Sequence, residues 1–583
     1  MPNTLWRFVD DSGTFVADNP HRISGLYFPL ANEAGLMSSV TPNLSGDIKL
    51  GQHSFLTLPM SADDLHNSRH GRNFWVYVEG AGAWCLNSLD SDESIVEAGA
   101  LWHKAIKINK KLGLRIESLN FIPAADDAVE LMLVEITNIS KKKLRVTPTA
   151  AVPIYARSAD SLRDHRHVTS LLNRIRLSKY GVIVTPSMTF DERGHRVNER
   201  SYFVLGCGED GEAPLGSFPT VLEFTGEGNN LSNPAAVIKN APIAGKQGMS
   251  RQGKEAMGAI RFRAAVIPAG KTVRYIMALG IVDKGAPEKV FLKYNSQEKI
   301  ERSLRANKKF WSDKMGAARF STHDKNFDRW MRWVSIQPVL RKIFGCSFLP
   351  DFDYGRGGRG WRDLWQDCLT LLLISPGDAR GILINNFGGV RPDGSNATII
   401  GKRNGEFVSD RNNISRVWMD HGVWPFMTLN LYINQSGDKD ILFEKAPYFE
   451  SDRIDTVLGH VLLQHERPFT KIGGRGNFLL EGADWNDGLD MAGEKGESVA
   501  FTAAYAGNLN ELAALLEKIN YKKDVIAGLR QKADGLARRI RKEEWITVKS
   551  GHGFFNGYYD NLGNRVEGDS RRGVRMTLTG QVF

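Results

Sequence analysis

The sequence predicts a chain of two characters: a β-sandwich over residues 1–285 and an α-rich region over 326–583, joined by a helical linker over 286–325. Three observations carry this. Up to about residue 283 the apolar residues alternate in short runs broken by Gly, Pro, Asn and Asp, the pattern of half-buried strands. From Pro287 to about Met315 a charged stretch of helical period holds no turn dipeptide. Beyond Phe327 long amphipathic windows recur, at Asp328 to Ile343, Trp361 to Ile374, Ser415 to Ile433, Thr502 to Ile519 and Asp524 to Ile540.

Within the first region the clearest strands run from Val129 to Val146, where two aliphatic, β-branched runs flank the polar Asn138–Lys142 turn and read as a hairpin. A second hairpin is expected at Ala259 to Val266 and Thr272 to Val282, joined by Pro268-Ala269-Gly270-Lys271, where Pro sets φ and Gly can take a positive φ. So many strands at this spacing predict a large sandwich. In the second region the helices are separated by long polar loops, which in compact proteins usually carry function.

Composition excludes several classes. The chain of 583 residues is 42% hydrophobic and 24% charged, which rules out a disordered polymer and a short disulfide scaffold. Apolar runs such as Leu369 to Ile374 fall far below the roughly twenty residues needed to span a bilayer, and the first residues lack the basic flank and apolar stretch of a signal peptide. A cytoplasmic location is therefore expected. The net charge of +10 invites a nucleic-acid reading, but the basic residues form only short, scattered runs such as Lys141–Lys143 and the helix end at Arg538–Lys542, so neither a nucleic-acid nor a membrane partner is expected. The four cysteines, Cys85, Cys207, Cys346 and Cys368, are far apart with no C-x-x-C pair, and read as reduced structural thiols.

Two segments concentrate unusual chemistry. Residues 354–367 (YGRGGRGWRDLWQD) formally contain G-x-G-x-x-G, yet helices follow where a dinucleotide fold needs a further parallel strand, so that reading fails. Asp363 and Asp367 are like charges at i and i+4, which is unfavourable unless cations or a ligand offset it; Arg356 and Arg362 can do so structurally. Residues 481–490 (EGADWNDGLD) place Glu481, Asp484 and Asp487 within seven positions beside Trp485. A solvated turn and a calcium loop are alternative readings, although the spacing and terminal Glu of an EF-hand are missing. A Trp and neighbouring carboxylates are also the two agents that raise a carboxyl pKa, by desolvation and by like charge, as a general acid requires. Between them lie the polar loops 385–393 and 418–424. In the β-rich half, Asp164-His165-Arg166-His167 lacks helix-spaced histidine or cysteine partners and reads as hydrogen-bonding structure. No metal site is expected. Seven of the thirteen tryptophans fall between residues 330 and 485, and Trp beside Asp, Arg and Asn is the composition of a sugar site as well as of a core.

These segments, together with LYFPLANEAG at 26–35, DLHNSRHGRNFW at 64–75, NNFGGVRPDGSNATIIG at 385–401 and RVWMDHGVWP at 416–425, resemble the cellobiose and chitobiose phosphorylases, glycoside hydrolase family 94. The resemblance implies an N-terminal, galactose-mutarotase-like supersandwich, a helical linker, an (α/α)6 barrel of the six-hairpin type and a small C-terminal β domain. It implies inverting phosphorolysis of a β-glucoside to α-glucose 1-phosphate, with inorganic phosphate as co-substrate and no cofactor, and homodimerisation. By motif, Asp487 matches the general acid, and Arg356, Arg362, Asp363 and Trp485 match residues holding the sugar whose bond is cleaved. The chain stops at Phe583 where family members continue, so the barrel is expected to be incomplete, with phosphate- and acceptor-binding residues beyond it. Arg356 and Arg359 are then the first phosphate ligands to test. Two other classes stay open: an inverting hydrolase using Glu481 or Asp484 as base, and an inactive fragment that binds sugar or a partner chain. A module of a cyclic glucan synthase is set aside because those enzymes carry membrane spans.

Overall fold

A computed structural model describes residues 5–22, 25–191, 194–344, 359–401, 403–409 and 417–583. The chain divides into two compact units, Met1–Gly357 and Gly358–Phe583.

The first unit is a sandwich of an eleven-stranded and a six-stranded sheet. Its middle strands are nearly continuous runs of buried residues because each large sheet face is covered. In Val129–Asn138, Met132, Val134 and Ile136 point into the space between the sheets, where they meet Val76, Val152 and Ile260 of the smaller sheet. The alternate residues Val129, Leu131 and Leu133 face the other way and pack against Phe291, Tyr294 and Ile300 of the following helices. Strand period therefore shows in which core a residue joins and not in whether it is buried.

The turns lie where the sequence places them, but the pairing differs from the expected hairpins. Val129–Asn138 pairs with Leu114–Phe121 and Thr272–Asp283 in the large sheet, whereas Leu144–Ile154 pairs with Asn73–Val78, Ala256–Arg261 and Ala265–Ile267 in the small one. Each predicted hairpin is thus a crossing between layers, and the two crossings run side by side. Asn138 ties them together: its side chain donates to Lys142 O at 2.7 Å and to Ile267 O at 2.8 Å, and its backbone exchanges bonds with Gly270 and Lys271. Turn chemistry encodes a reversal of direction, whereas the partner is chosen by which sheet can bury the next apolar face.

A charged pair is sealed in this sandwich. Arg72 and Glu130 are both fully buried, joined by Arg72 Nη2 to Glu130 Oε2 at 2.7 Å, with Asn120 Nδ2 donating to Glu130 at 3.1 Å. Arg72 also reaches the carbonyls of Ser39, Leu44 and Gly46, so its remaining donors are satisfied. Two long helices close the unit, Gln297–Met315 and Lys325–Phe344; Trp333 of the latter donates Nε1 to Gly13 O at 2.7 Å.

The second unit packs the helices Trp361–Ile374, Pro376–Phe387, Val423–Ser436, Val457–Glu466, Val499–Lys518 and Lys523–Glu543 around one core that includes Trp365, Phe387, Phe426, Tyr505 and Leu512. The predicted span Trp361–Ile374 coincides with its helix, and Leu364, Trp365, Cys368 and Leu371 are its buried face. Helix Val423–Ser436 starts later than predicted, after a 3-10 turn at Met419–Gly422. Among the described residues no helix is long and apolar enough to cross a membrane. Cys85 and Cys207 are buried thiols, each pushed up to about 12 by desolvation, as structural cysteines are.

Removing one member of the Arg72–Glu130 pair leaves the other charge buried without a counterion, so Glu130→Ala is expected to cost about 3–5 kcal/mol of stability. The urea midpoint should shift down at unchanged slope; an unmoved midpoint would take the pair out of the determinants of the sandwich.

Candidate functional site

The site is built outward from the start of the helix Trp361–Ile374. Gly360 caps it, and a Cβ at Gly360 would collide with the Asp363 carboxylate. Glycine there lets Asp363 sit against the first turn, whose free N–H groups and dipole favour an anion. Trp361 turns inward and donates Nε1 to His421 O at 3.0 Å, which leaves Arg362 and Asp363 on the half-buried side.

Arg362 joins its helix to two loops. Its Nη1 donates to Asp484 O at 2.8 Å and lies 3.4 Å from Asp420 Oδ2, and its Cζ stands 4.3 Å from the centre of the Trp418 ring. Asp420 is completely buried: Oδ2 accepts from Trp424 Nε1 at 2.8 Å, while Oδ1 has no hydrogen-bond partner among the described residues. Burial pushes the Asp420 carboxyl up to about 7; the charge of Asp484 adds to the rise, and Arg362 and Trp424 oppose it. Asp484 is equally buried, accepting from Ser498 Oγ and from Asn486 N, both at 2.8 Å, and burial raises it too. His421 accepts at Nδ1 from Asn396 Nδ2 at 3.0 Å, and burial holds it neutral.

The carboxylate-rich loop is locked to the loop before helix Val423–Ser436. Gly482 N donates to Val417 O at 2.8 Å and Met419 N to Ala483 O at 3.0 Å. A Cβ on Gly482 would press on Val417 O and the Trp418 ring, so glycine is needed for this approach. Glu481 is held by both Arg467 nitrogens, at 2.6 and 2.8 Å.

Among the residues predicted from sequence, Arg362 and the Asp484–Trp485 segment come together directly, and Asp363 is next to Arg362 on the same helical turn. Trp485 is half exposed, in contrast to the sealed Trp361 and Trp365. Asp487 begins the short 3-10 helix Asp487–Ala492; its side chain lies outside the described residues, as do Arg356 and the side chain of Arg359. Asp420 is the functional residue that sequence reasoning misses: its loop is conspicuous, but nothing in it gives the acid a role. Its only local signal is the four-residue spacing to Trp424. The calcium-loop reading of 481–490 fails, because Glu481 is spent on Arg467 and Asp484 on Ser498 and Asn486. Among the described residues no group of three or more His, Cys, Asp or Glu gathers to hold a metal.

The family profile described as "Glycosyl hydrolase 94 superfamily, catalytic domain" matches residues 310–583, and "Glycosyl hydrolase 94, supersandwich domain" matches residues 103–301. The chain belongs to glycoside hydrolase family 94. Relatives of this family 94 chain include cyclic beta-(1,2)-glucan synthase NdvB of Rhizobium meliloti (strain 1021), 25% identical over 376 residues, which are 60% of this chain and 12% of that protein. Cellobionic acid phosphorylase of Neurospora crassa is 23% identical over 449 residues, 75% of this chain and 52% of the relative. The chain thus spans about half or less of the curated relatives it matches. A match confined to 12% of a cyclic glucan synthase carries no information on spans elsewhere in it, so their absence here is no ground for setting that class aside. Among solved structures a bacterial glucoamylase complexed with acarbose aligns with TM-score 0.54 and 12% identity, over 92% of this chain and 69% of that one. The fold of this family 94 chain is accordingly a β-supersandwich followed by helices of the (α/α)6-barrel type.

The unfolded chain titrates Asp420 near 3.8 and the folded chain near 7, so the native state holds a proton that the unfolded state has lost between those values. Stability therefore falls as pH rises from about 4 to about 7, and Asp420→Asn is expected to remove that part of the slope. Thermal unfolding of both proteins across this window measures it; a wild-type-to-variant difference that does not change with pH would reject the assignment.

Proposed function

We propose that this chain acts in inverting phosphorolysis: a β-glucoside and inorganic phosphate give α-glucose 1-phosphate and a shortened sugar. The observation that carries this reading is the bond from Arg362 to the Asp484 carbonyl, which sets the W-R-D helix start against the loop holding Trp485 and Asp487. In this reading Asp487 protonates the glycosidic oxygen, while Arg356, Arg362, Asp363 and Trp485 hold the sugar being cleaved. The half-exposed Trp485 ring offers an apolar face to a sugar ring, and Asp363 accepts its hydroxyls. Asp420 is a positioning residue: it keeps Arg362 and Trp424 in place from below.

Phosphate is already anionic and needs one acid and cationic positioning, whereas an inverting hydrolase needs a second carboxylate to activate water. The two carboxylates available for that second role are engaged. Glu481 is chelated by Arg467, and Asp484 is sealed from solvent with both oxygens accepting hydrogen bonds. This supports phosphorolysis over hydrolysis. The family relatives add support, since cellobionic acid phosphorylase is among them, and the glucan synthase among them makes β-1,2-linked gluco-oligosaccharides a substrate class to include.

The test is release of inorganic phosphate from α-glucose 1-phosphate with glucose, cellobiose, N-acetylglucosamine and β-1,2-linked gluco-oligosaccharides as acceptors. Acceptor-dependent release is expected; sugar release from the same oligosaccharides that does not need phosphate would replace the reading by hydrolysis. Asp487→Asn should lower turnover by about 10²–10⁴-fold without loss of folding. Retained wild-type turnover would take Asp487 out of the acid role. Arg362→Lys cannot keep both the carbonyl bond and the Trp418 contact, so it should reduce kcat/KM by about tenfold or more. An unchanged value would remove Arg362 from the site.

A further inference from the structure

Two segments noted in the sequence have no part in the reading above: residues 64–75 and the cluster Asp164–His167. The structure brings both to one end of the six-stranded sheet. There the strand Leu144–Ile154 finishes beside the start of Ala256–Arg261, with Ile154 opposite Ala256, and beside the start of Asn73–Val78, with Ala151 opposite Asn73. Past these strand ends lies a cavity of about 840 Å³, within the range of small-ligand sites.

Three arginines line this cavity, one from each of three chain segments: Arg69, Arg157 and Arg166. None of them makes an ion pair among the described residues. Arg69 donates to Asn87 O at 2.7 Å, and Arg157, almost fully buried, donates to Tyr155 O at 3.1 Å and to the Thr169 hydroxyl while lying 4.7 Å over the Tyr155 ring. Arg166 is exposed. Elsewhere in the same sandwich Arg251 is paired with Glu223 and Arg274 with Glu135, while the buried Arg261 is satisfied by Thr149, Asn240 and two backbone carbonyls. Glu255 and Asp164 act on Arg157 from a distance without forming an ion pair, so an anion within hydrogen-bond reach would be its direct partner.

The rest of the lining is neutral and polar above an apolar floor. Asn67, Asn229 and Ser232 carry donors and acceptors, and Ile154, Tyr155 and Leu162 supply apolar surface. His70 adds no charge, because burial and the nearby Arg166 hold it at about 4. Two carboxylates, Asp64 and Glu255, also face the space; Asp64 accepts from Ser61 Oγ at 2.9 Å. An apolar face, amide and carboxylate groups for hydroxyls, and guanidinium groups outside ion pairs are together the requirements of a charged carbohydrate.

We propose that this cavity is a second carbohydrate site, specific for a sugar that bears a negative charge. Hexose phosphates and hexuronates share that chemistry. The inference rests only on residues of the N-terminal unit and does not depend on phosphorolysis.

The test is calorimetric titration of the full chain with α-glucose 1-phosphate, glucuronate, inorganic phosphate and glucose, with Arg362→Ala as background so that sugar binding in the other unit is removed. One site per chain for an anionic sugar is expected in that background. Arg166→Glu, a surface change that should not affect folding, should weaken it by about tenfold or more. Binding of glucose 1-phosphate alone would identify a phosphorylated ligand, and binding of glucuronate alone a uronate; either supports the site. Absence of binding by both, affinity unchanged in Arg166→Glu, glucose binding as tightly as the charged sugars, or inorganic phosphate binding as tightly as glucose 1-phosphate would each overturn it.

Discussion

The candidate site of the second unit is organised around a single guanidinium. Arg362 satisfies the Asp484 carbonyl, lies against Trp418 and pairs with the buried Asp420, so two loops far apart in sequence take their positions against the helix from one side chain. A planar group with donors in a fixed fork suits this role, since one edge reaches a carbonyl and a carboxylate while the face covers a ring. Without it Asp420 would be a carboxyl in a sealed pocket with only the Trp424 indole to stabilise its charge. Its position near neutrality, at about 7, reflects that balance of burial against one cation and one N–H.

The arrangement gives the carboxylates of this region separate tasks. Glu481 and Asp484 have their oxygens engaged, by Arg467 and by Ser498 and Asn486, and shape the loop. Asp420 supports Arg362 from the core, and Asp363 lies on the half-buried turn that opens the helix. Four acids of similar intrinsic acidity are thus distinguished by burial and partner alone, which is how one chemical group serves as strut, anchor and ligand within a small volume. The sandwich uses the same device in the buried Arg72–Glu130 pair.

Much of the fold was legible in the sequence. The strand period of Val129–Asn138 and the helix period of Trp361–Ile374 are local properties, and both elements form where the periodicity places them. The supposed hairpins show the limit. Asn138 and the Pro268–Lys271 turn do reverse the chain, but each reversal passes from one sheet to the other, because the strands that pair with both edges of Val129–Asn138 are Leu114–Phe121 and Thr272–Asp283. The candidate site divides in the same way. Arg362 and the carboxylate loop stood out by composition, whereas Asp420 did not, since its unusual state comes first from burial and its charged neighbours, Arg362 and Asp484, are 58 and more residues away along the chain.

What the sequence by itself determined is the order of element types, the reversals between them and the clustering of arginine, tryptophan and carboxylates in two segments, because propensity, period and turn chemistry act over a few residues. Only the tertiary structure decided which strands pair, which acids are sealed and which arginines are left outside ion pairs. Those depend on burial and on Coulomb partners, and both are set by residues distant in sequence that packing brings within a few ångströms.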